Sequence, residues 1–267
     1  MSLMALGAFL TVVGGVDLLR ANREAVDLRR QGLLLGLAAV GIVLFLGWAG
    51  DWTGFGGFVR VLALGVGMGL GVAAWMVGSA AALAPTTLDP GRWRALALGG
   101  LAGGAVISVL GVGALEPWVQ WPRAIIGTVL GRWPAADVVV SVGVVLTQIT
   151  TASILLKLVP GPGRAVATNG VGSGVDSGVD SAVVGSPGGT AYDEGRLLGP
   201  TERLILVGLG HIGQLIAAAV VLAALTLMRL PELQARARVG VPAAPLITQI
   251  ALSWLIALGG VALIFLA

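Results

Sequence analysis

Seven stretches of this chain, residues 2–19, 31–49, 58–84, 95–115, 137–159, 203–228 and 242–266, are apolar over about the length needed to cross a bilayer. A helix rises about 1.5 Å per residue, so a hydrocarbon core takes about 20 apolar residues. Each run is far longer than a barrel strand. In lipid every backbone N–H and C=O must also be satisfied internally, which a helix does alone. The expected fold is therefore an all-α membrane protein, a polytopic bundle of about seven transmembrane helices. Residues 58–84 would be about 40 Å long, so that span must tilt or start later than residue 58.

Composition agrees with that solvent. Only 11% of the residues are charged, against about 25% in a soluble domain. Cysteine is absent, which excludes disulfides, thiolate catalysis and Cys-ligated metal sites. All basic residues but Lys157 are arginine, scattered at the ends of apolar runs without a basic stripe, so no nucleic-acid partner is expected. The first apolar run is followed rather than preceded by its arginines (Arg20, Arg23, Arg29, Arg30). That charge order is opposite to a secretory signal. Counting Lys and Arg on alternate sides puts ten residues inside and six outside for an N-out, C-in chain. Bacterial inner membrane is the expected location.

The domain pattern is uneven. Residues 1–159 hold five of the runs, and 201–267 hold two. Between them, 160–200 is Gly- and Ser-rich with the repeat "GVDSGVDS". It is too poor in apolar surface to offset its ordering entropy, so a disordered cytoplasmic linker is expected. Residues 123–132, bracketed by Trp-Pro on both sides, would rise about 15 Å as an interfacial helix. Trp48 and Trp52 flank one outer loop, and Trp118, Trp121 and Trp133 lie in another, where indole rings favour the headgroup level. Trp75 and Trp254 fall mid-helix and read as packing residues.

The segment "VGLGHIG" (207–213) carries the Gly-x-Gly-x-x-Gly of a dinucleotide fingerprint. A fingerprint needs a strand, a turn and a helix within a βαβ unit. Here the apolar run continues from Leu204 to Met228, so no dinucleotide is expected. Gly208, Gly210 and Gly213 read instead as packing glycines of one membrane helix. They join the pairs Gly32/Gly36, Gly65/Gly69, Gly67/Gly71, Gly99/Gly103 and Gly100/Gly104.

Polar side chains inside apolar runs are the candidate site. His211 and Gln214 share a helix face. "TQITTAS" supplies Thr147, Gln148 and Thr151, and the last run supplies Gln249 and Ser253. Converging, they would line a small hydrophilic pathway; separately, they would act as interhelical glue. Asp17 stands three residues before Arg20 and reads as its local ion-pair partner. Glu202 would lie in the first turn of the sixth helix, complementing its dipole, with Thr201 as cap. No metal or other cofactor is expected, and no catalytic group is assigned. Three functions stay open: transport or a channel-like role for a small solute or ion, a non-catalytic scaffold or accessory subunit, and an intramembrane lipid-acting enzyme. The expected partners are membrane lipid and either a second copy of the chain or another membrane subunit.

The segments "TASILLKLV" (151–159), "GRLLGPTERLILVGLGHIGQ" (195–214), "LMRLPEL" (227–233) and "SWLIAL" (253–258) resemble the C-terminal half of an uncharacterised bacterial integral-membrane family, a domain of unknown function. The resemblance covers about 140–267. Its pattern falls on Lys157, Gly195, Arg196, Gly199, Glu202, Arg203, Gly213, Gln214, Arg229 and Glu232. The family carries a basic residue late in the helix after the Gln, where this chain has "LAALTL". The resemblance implies a polytopic inner-membrane protein and no particular activity.

Overall fold

The computed structural model describes residues 3–20, 28–84, 89–115, 119–121, 132–158, 191–238 and 244–266, with the backbone alone at 28, 112, 191–198, 232–233, 235–237 and 245–246. These residues form helices α1 (Met4–Leu19), α2 (Leu28–Ala49), α3 (Gly54–Leu83), α4 (Pro90–Leu110), α5 (Ala135–Leu158), α6 (Ala191–His211), α7 (Leu215–Arg238) and α8 (Ala244–Leu266). A 3₁₀ turn, Gly111–Ala114, follows α4. No strand occurs among the described residues beyond an isolated bridge between Gly50 and Leu115.

Among the described residues, five helices are long and apolar enough to cross a membrane: Arg29–Ala49, Gly54–Leu83, Pro90–Leu110, Ala135–Leu158 and Ile247–Leu266. Met4–Leu19 and Leu215–Pro231 are shorter apolar helices. The outer surface carries Leu33, Leu44, Leu70, Leu110 and Ile216, all exposed. Such a surface suits hydrocarbon and would be an aggregation hazard in water. α3 starts earlier than expected, at Gly54, and is 30 residues or about 45 Å long. A bilayer takes up that excess by tilt or by carrying helix ends through the headgroups.

α1 is the hub of the first five helices. Its Phe9, Val13 and Val16 join a core with Ile42 and Leu46 of α2, Leu64, Met68, Val72 and Trp75 of α3, Ala97 of α4, and Leu158 of α5. Missing side chains let backbones meet. A Cβ on Gly7 would lie 2.7 Å from Val140 Cα of α5, and one on Gly71 would lie 2.8 Å from Gly104 Cα of α4. The glycine spacings thus differ in use. Gly67/Gly71 and Gly100/Gly104 are packing faces, Gly32/Gly36 and Gly99/Gly103 face open space, and Gly65/Gly69 is split, with Gly65 on Leu46 and Gly69 facing open space.

The last three helices form an appendage on α5. Val207 of α6 and Val261 of α8 pack with Val140 and Val144, and Leu206, Ala218 and Ala257 form a second small core.

The apolar run 203–228 is not one helix, contrary to the sequence expectation. α6 stops at His211, and the chain turns through Ile212–Gln214 into α7. Gly213 takes φ +75°, its N–H donates to Gly210 O at 2.8 Å, and Gln214 N–H donates to Leu209 O at 2.9 Å. This is a Schellman stop, which needs a left-handed residue that glycine supplies without a Cβ clash. Of the three fingerprint glycines, Gly210 packs on Val261, Gly208 faces open space and Gly213 makes the turn. α6 also begins at Ala191, inside the segment assigned to the linker, so 191–200 are helical. Residues 160–190 and the expected interfacial helix up to residue 131 lie outside the described residues.

The two ends of the first five helices differ in chemistry. One end gathers indoles. Trp48 stacks on Trp121 at 5.6 Å and donates to Gln120 O at 2.9 Å, and Trp121 donates to Trp133 O at 2.8 Å. The bridge between Gly50 and Leu115 and the bond from Asp51 N–H to Ala114 O (2.9 Å) tie loops there. The opposite end carries Arg20, Arg29, Arg30, Arg92 and Arg94 at the close of α1 and the starts of α2 and α4.

Candidate functional site

Toward the arginine-bearing end, buried polar side chains form a band from α3 through α1 and α5 to α6 and α7. It begins with a local defect in α5. Thr147–Thr151 form a π-helical turn, a widening that often occurs at functional positions. The threonines make the defect tolerable by bonding back to their own helix. Thr147 Oγ1 donates to Gly143 O or Val144 O at 3.0 and 2.8 Å. Thr150 Oγ1 reaches Leu146 O at 2.9 Å and Gly14 O of α1 at 3.1 Å. Gly14 permits that approach, since a Cβ there would lie 2.7 Å from Leu146 Cβ.

The π turn presents Thr151 to α1, where its hydroxyl donates to Asp17 Oδ2 at 2.7 Å. From α3, Trp75 Nε1 donates to the same carboxylate, 3.0 Å from Oδ2 and 3.2 Å from Oδ1. Asp17 is 4% exposed and Trp75 is wholly buried. A buried carboxylate is costly unless hydrogen-bonded donors replace water, and these two do so. Arg20, the local partner expected from spacing, also reaches another helix. Nη1 of Arg20, also buried, donates to Ser79 Oγ of α3 at 3.0 Å, while the Arg20 charge acts on Asp17 from nearby.

The band continues on the far side of α5. Arg203 Nη2 donates to Ser153 Oγ at 2.9 Å. Arg203 is 1% exposed, and its Nε and Nη1 have no hydrogen-bond partner among the described residues. Glu202 accepts both contacts of Arg229 Nη2, at 2.6 Å (Oε1) and 2.5 Å (Oε2), joining α6 to α7. Because α6 starts at Ala191, Glu202 is not in its first turn. It is an interhelical ion-pair partner rather than a dipole complement. The side chains of Arg196 and Glu232 lie outside the described residues.

The expected pathway residues do not converge. Gln148 is buried and its Nε2 donates to Ile256 O of α8 at 3.0 Å. Thr151 joins Asp17, Thr147 is spent on its own helix, and Ser253 is buried on α8. His211, Gln214 and Gln249 are exposed. The Gly213 turn moves His211 to a helix end and takes Gln214 out of the helix. Sequence reasoning missed the Asp17–Trp75 pairing. The available signal was an acidic side chain three residues inside the first apolar run, which is functional by default in a membrane.

Comparison with family models, with curated proteins and with solved structures finds no match to this chain.

Proposed function

We propose that the chain is a polytopic, N-out protein of a bacterial inner membrane that moves a small ion across the bilayer. The observation that carries this reading is the Asp17 carboxylate, buried between three apolar helices and held by Trp75 and Thr151. Ionisable groups in such positions are expensive and commonly mark an ion path. The π turn adds a helix segment with an alternative hydrogen-bond register beside the carboxylate. In this reading α1–α5 cross the bilayer, α6 and α7 form a hairpin that leaves the arginine-bearing end, turns at Gly213 and returns to it, and α8 is the last span. The positive-inside count supports placing that end in the cytoplasm.

The test is ion flux in proteoliposomes. Flux is expected in wild type and in His211→Ala, because His211 is exposed at a helix end, and is expected to be lost in Asp17→Asn. No flux in wild type would leave the scaffold reading. One observation favours that alternative: Gly99 and Gly103 lie on α4 facing open space, a small-residue face available to another helix. A scaffold would show self-association or a co-purifying membrane partner that Gly99→Leu disrupts.

A further inference from the structure

Which ion the carboxylate can take follows from what surrounds it. Among the described residues, the side-chain hydrogen bonds of Asp17 come from donors: Trp75 Nε1 at 3.0 and 3.2 Å and Thr151 Oγ1 at 2.7 Å. An indole N–H can only donate. A metal cation needs several converging oxygen acceptors. Here an indole N–H is aimed at the carboxylate, and the Arg20 charge acts on it as well. No group of three His, Cys, Asp or Glu side chains suited to a metal occurs among the described residues. A proton is different, because it needs one oxygen lone pair and one acceptor.

We propose that Asp17 is a reversible proton-binding site, with Thr151 as the partner that reverses its hydrogen bond. This rests on the ion-transport reading and names the ion. A hydroxyl has one donor and two acceptor lone pairs. When a proton from water at the arginine-bearing end forms an O–H bond on Asp17 Oδ2, that O–H donates to Thr151 Oγ1 across the existing 2.7 Å contact. The Thr151 hydroxyl proton turns to a carbonyl of its own helix, the kind of acceptor that Thr147 and Thr150 already use. Trp75 keeps its bond to Oδ1. Release reverses each move and returns the proton to water; no other bond breaks. The charged group on the carboxylate's own helix is Arg20. Arg30 of α2, which donates to Leu19 O at 2.9 Å, and Arg94 of α4 are charged groups at the same end. α3 and α5 contribute the neutral Trp75, Ser79 and Thr151, and α5 carries the charged Lys157 in its last turn at that end.

Infrared difference spectroscopy of the full chain in lipid, recorded across a pH titration, tests the proposal beside proton flux followed with a pH-sensitive dye. A protonated-carboxyl band is expected to grow on acidification in wild type and to be lost in Asp17→Asn. In Thr151→Val, which keeps the side-chain shape, the band is expected at higher frequency because the acid O–H has lost its acceptor. Thr151→Ser is expected to restore the wild-type frequency. A titrating band without flux supports the proton site and sinks the transport reading. Ion flux that persists in Asp17→Asn, a band unchanged by that substitution, or a Thr151→Val band identical to wild type would each overturn the proton assignment.

Discussion

Asp17 illustrates how little a residue's neighbours in sequence say about its partners. Its bonds go to residues 58 and 134 positions away, whereas Arg20, three residues on, spends one Nη on Ser79. Trp75, which sequence reading assigned to packing, supplies both bulk and a donor. Trp75→Phe keeps most of the bulk and removes the donor, and is expected to cost about 1–3 kcal/mol. Reversible unfolding in detergent would measure it. In the Asp17→Asn background the cost should be smaller, since no charge remains to satisfy. A second carboxylate, Asp51 in the loop before α3, behaves differently. Hydrogen bonds from the hydroxyl and N–H of Thr53 hold its carboxyl below the usual range. Its folded pKa is depressed, so its contribution is present above the unfolded value, about 3.9, and is lost as pH falls through the folded value. The stability difference between wild type and Asp51→Asn should therefore be flat at neutral pH and shrink only below about pH 4. A difference that grows on acidification would contradict the hydrogen-bond account.

At the scale of elements, hydrophobic length predicted helices well and their ends poorly. The run 203–228 reads as one span because no polar residue interrupts it, yet Gly213 stops α6 by backbone geometry alone. Gly213→Ala forces a Cβ into a left-handed conformation and should cost about 1–2 kcal/mol. Gly213→Asn should cost less, and the difference is measurable by the same unfolding assay. Equal effects would mean that the turn is not held at positive φ. Glycine spacing was a partial guide for the same reason. It marks where helices can approach, and only tertiary contact shows that Gly71 and Gly104 do so while Gly32 and Gly36 do not. α6 and α7 are joined by an ionic contact as well as by the apolar one between Leu206 and Ala218. Glu202→Gln weakens a charge-assisted bond to Arg229 and should cost about 1.5–3 kcal/mol, with coupling to Arg229→Gln in a double-mutant cycle.

For the whole molecule, the indole-bearing and arginine-bearing ends define an axis across the bilayer. Because the chain has no cysteine, single-cysteine variants report sidedness without background. With the N-terminus outside, Gln120→Cys at the indole end should react with a membrane-impermeant maleimide on intact cells. Gly91→Cys, at the start of α4, should react only in inverted vesicles. The reverse pattern would invert the topology without altering the helix contacts.

The sequence alone determined the solvent, the helical class and the main helix positions, because lipid imposes a local rule: a long apolar run must satisfy its own backbone. It also determined which residue types were available for a polar site, and Thr151 and Gln148 were legible on those grounds, whereas Glu202, Arg203 and Arg229 stood out through the resemblance to a membrane family. Tertiary structure decided which of them meet. The Asp17 site joins three helices far apart in sequence, through the close approach of α1 and α5 and a π turn that no apolar periodicity announces. His211 and Gln214 were legible as polar and misread as central, since hydrophobicity does not record a left-handed glycine. Burial of a carboxylate, and the donors that make it tolerable, exist only once the helices are packed.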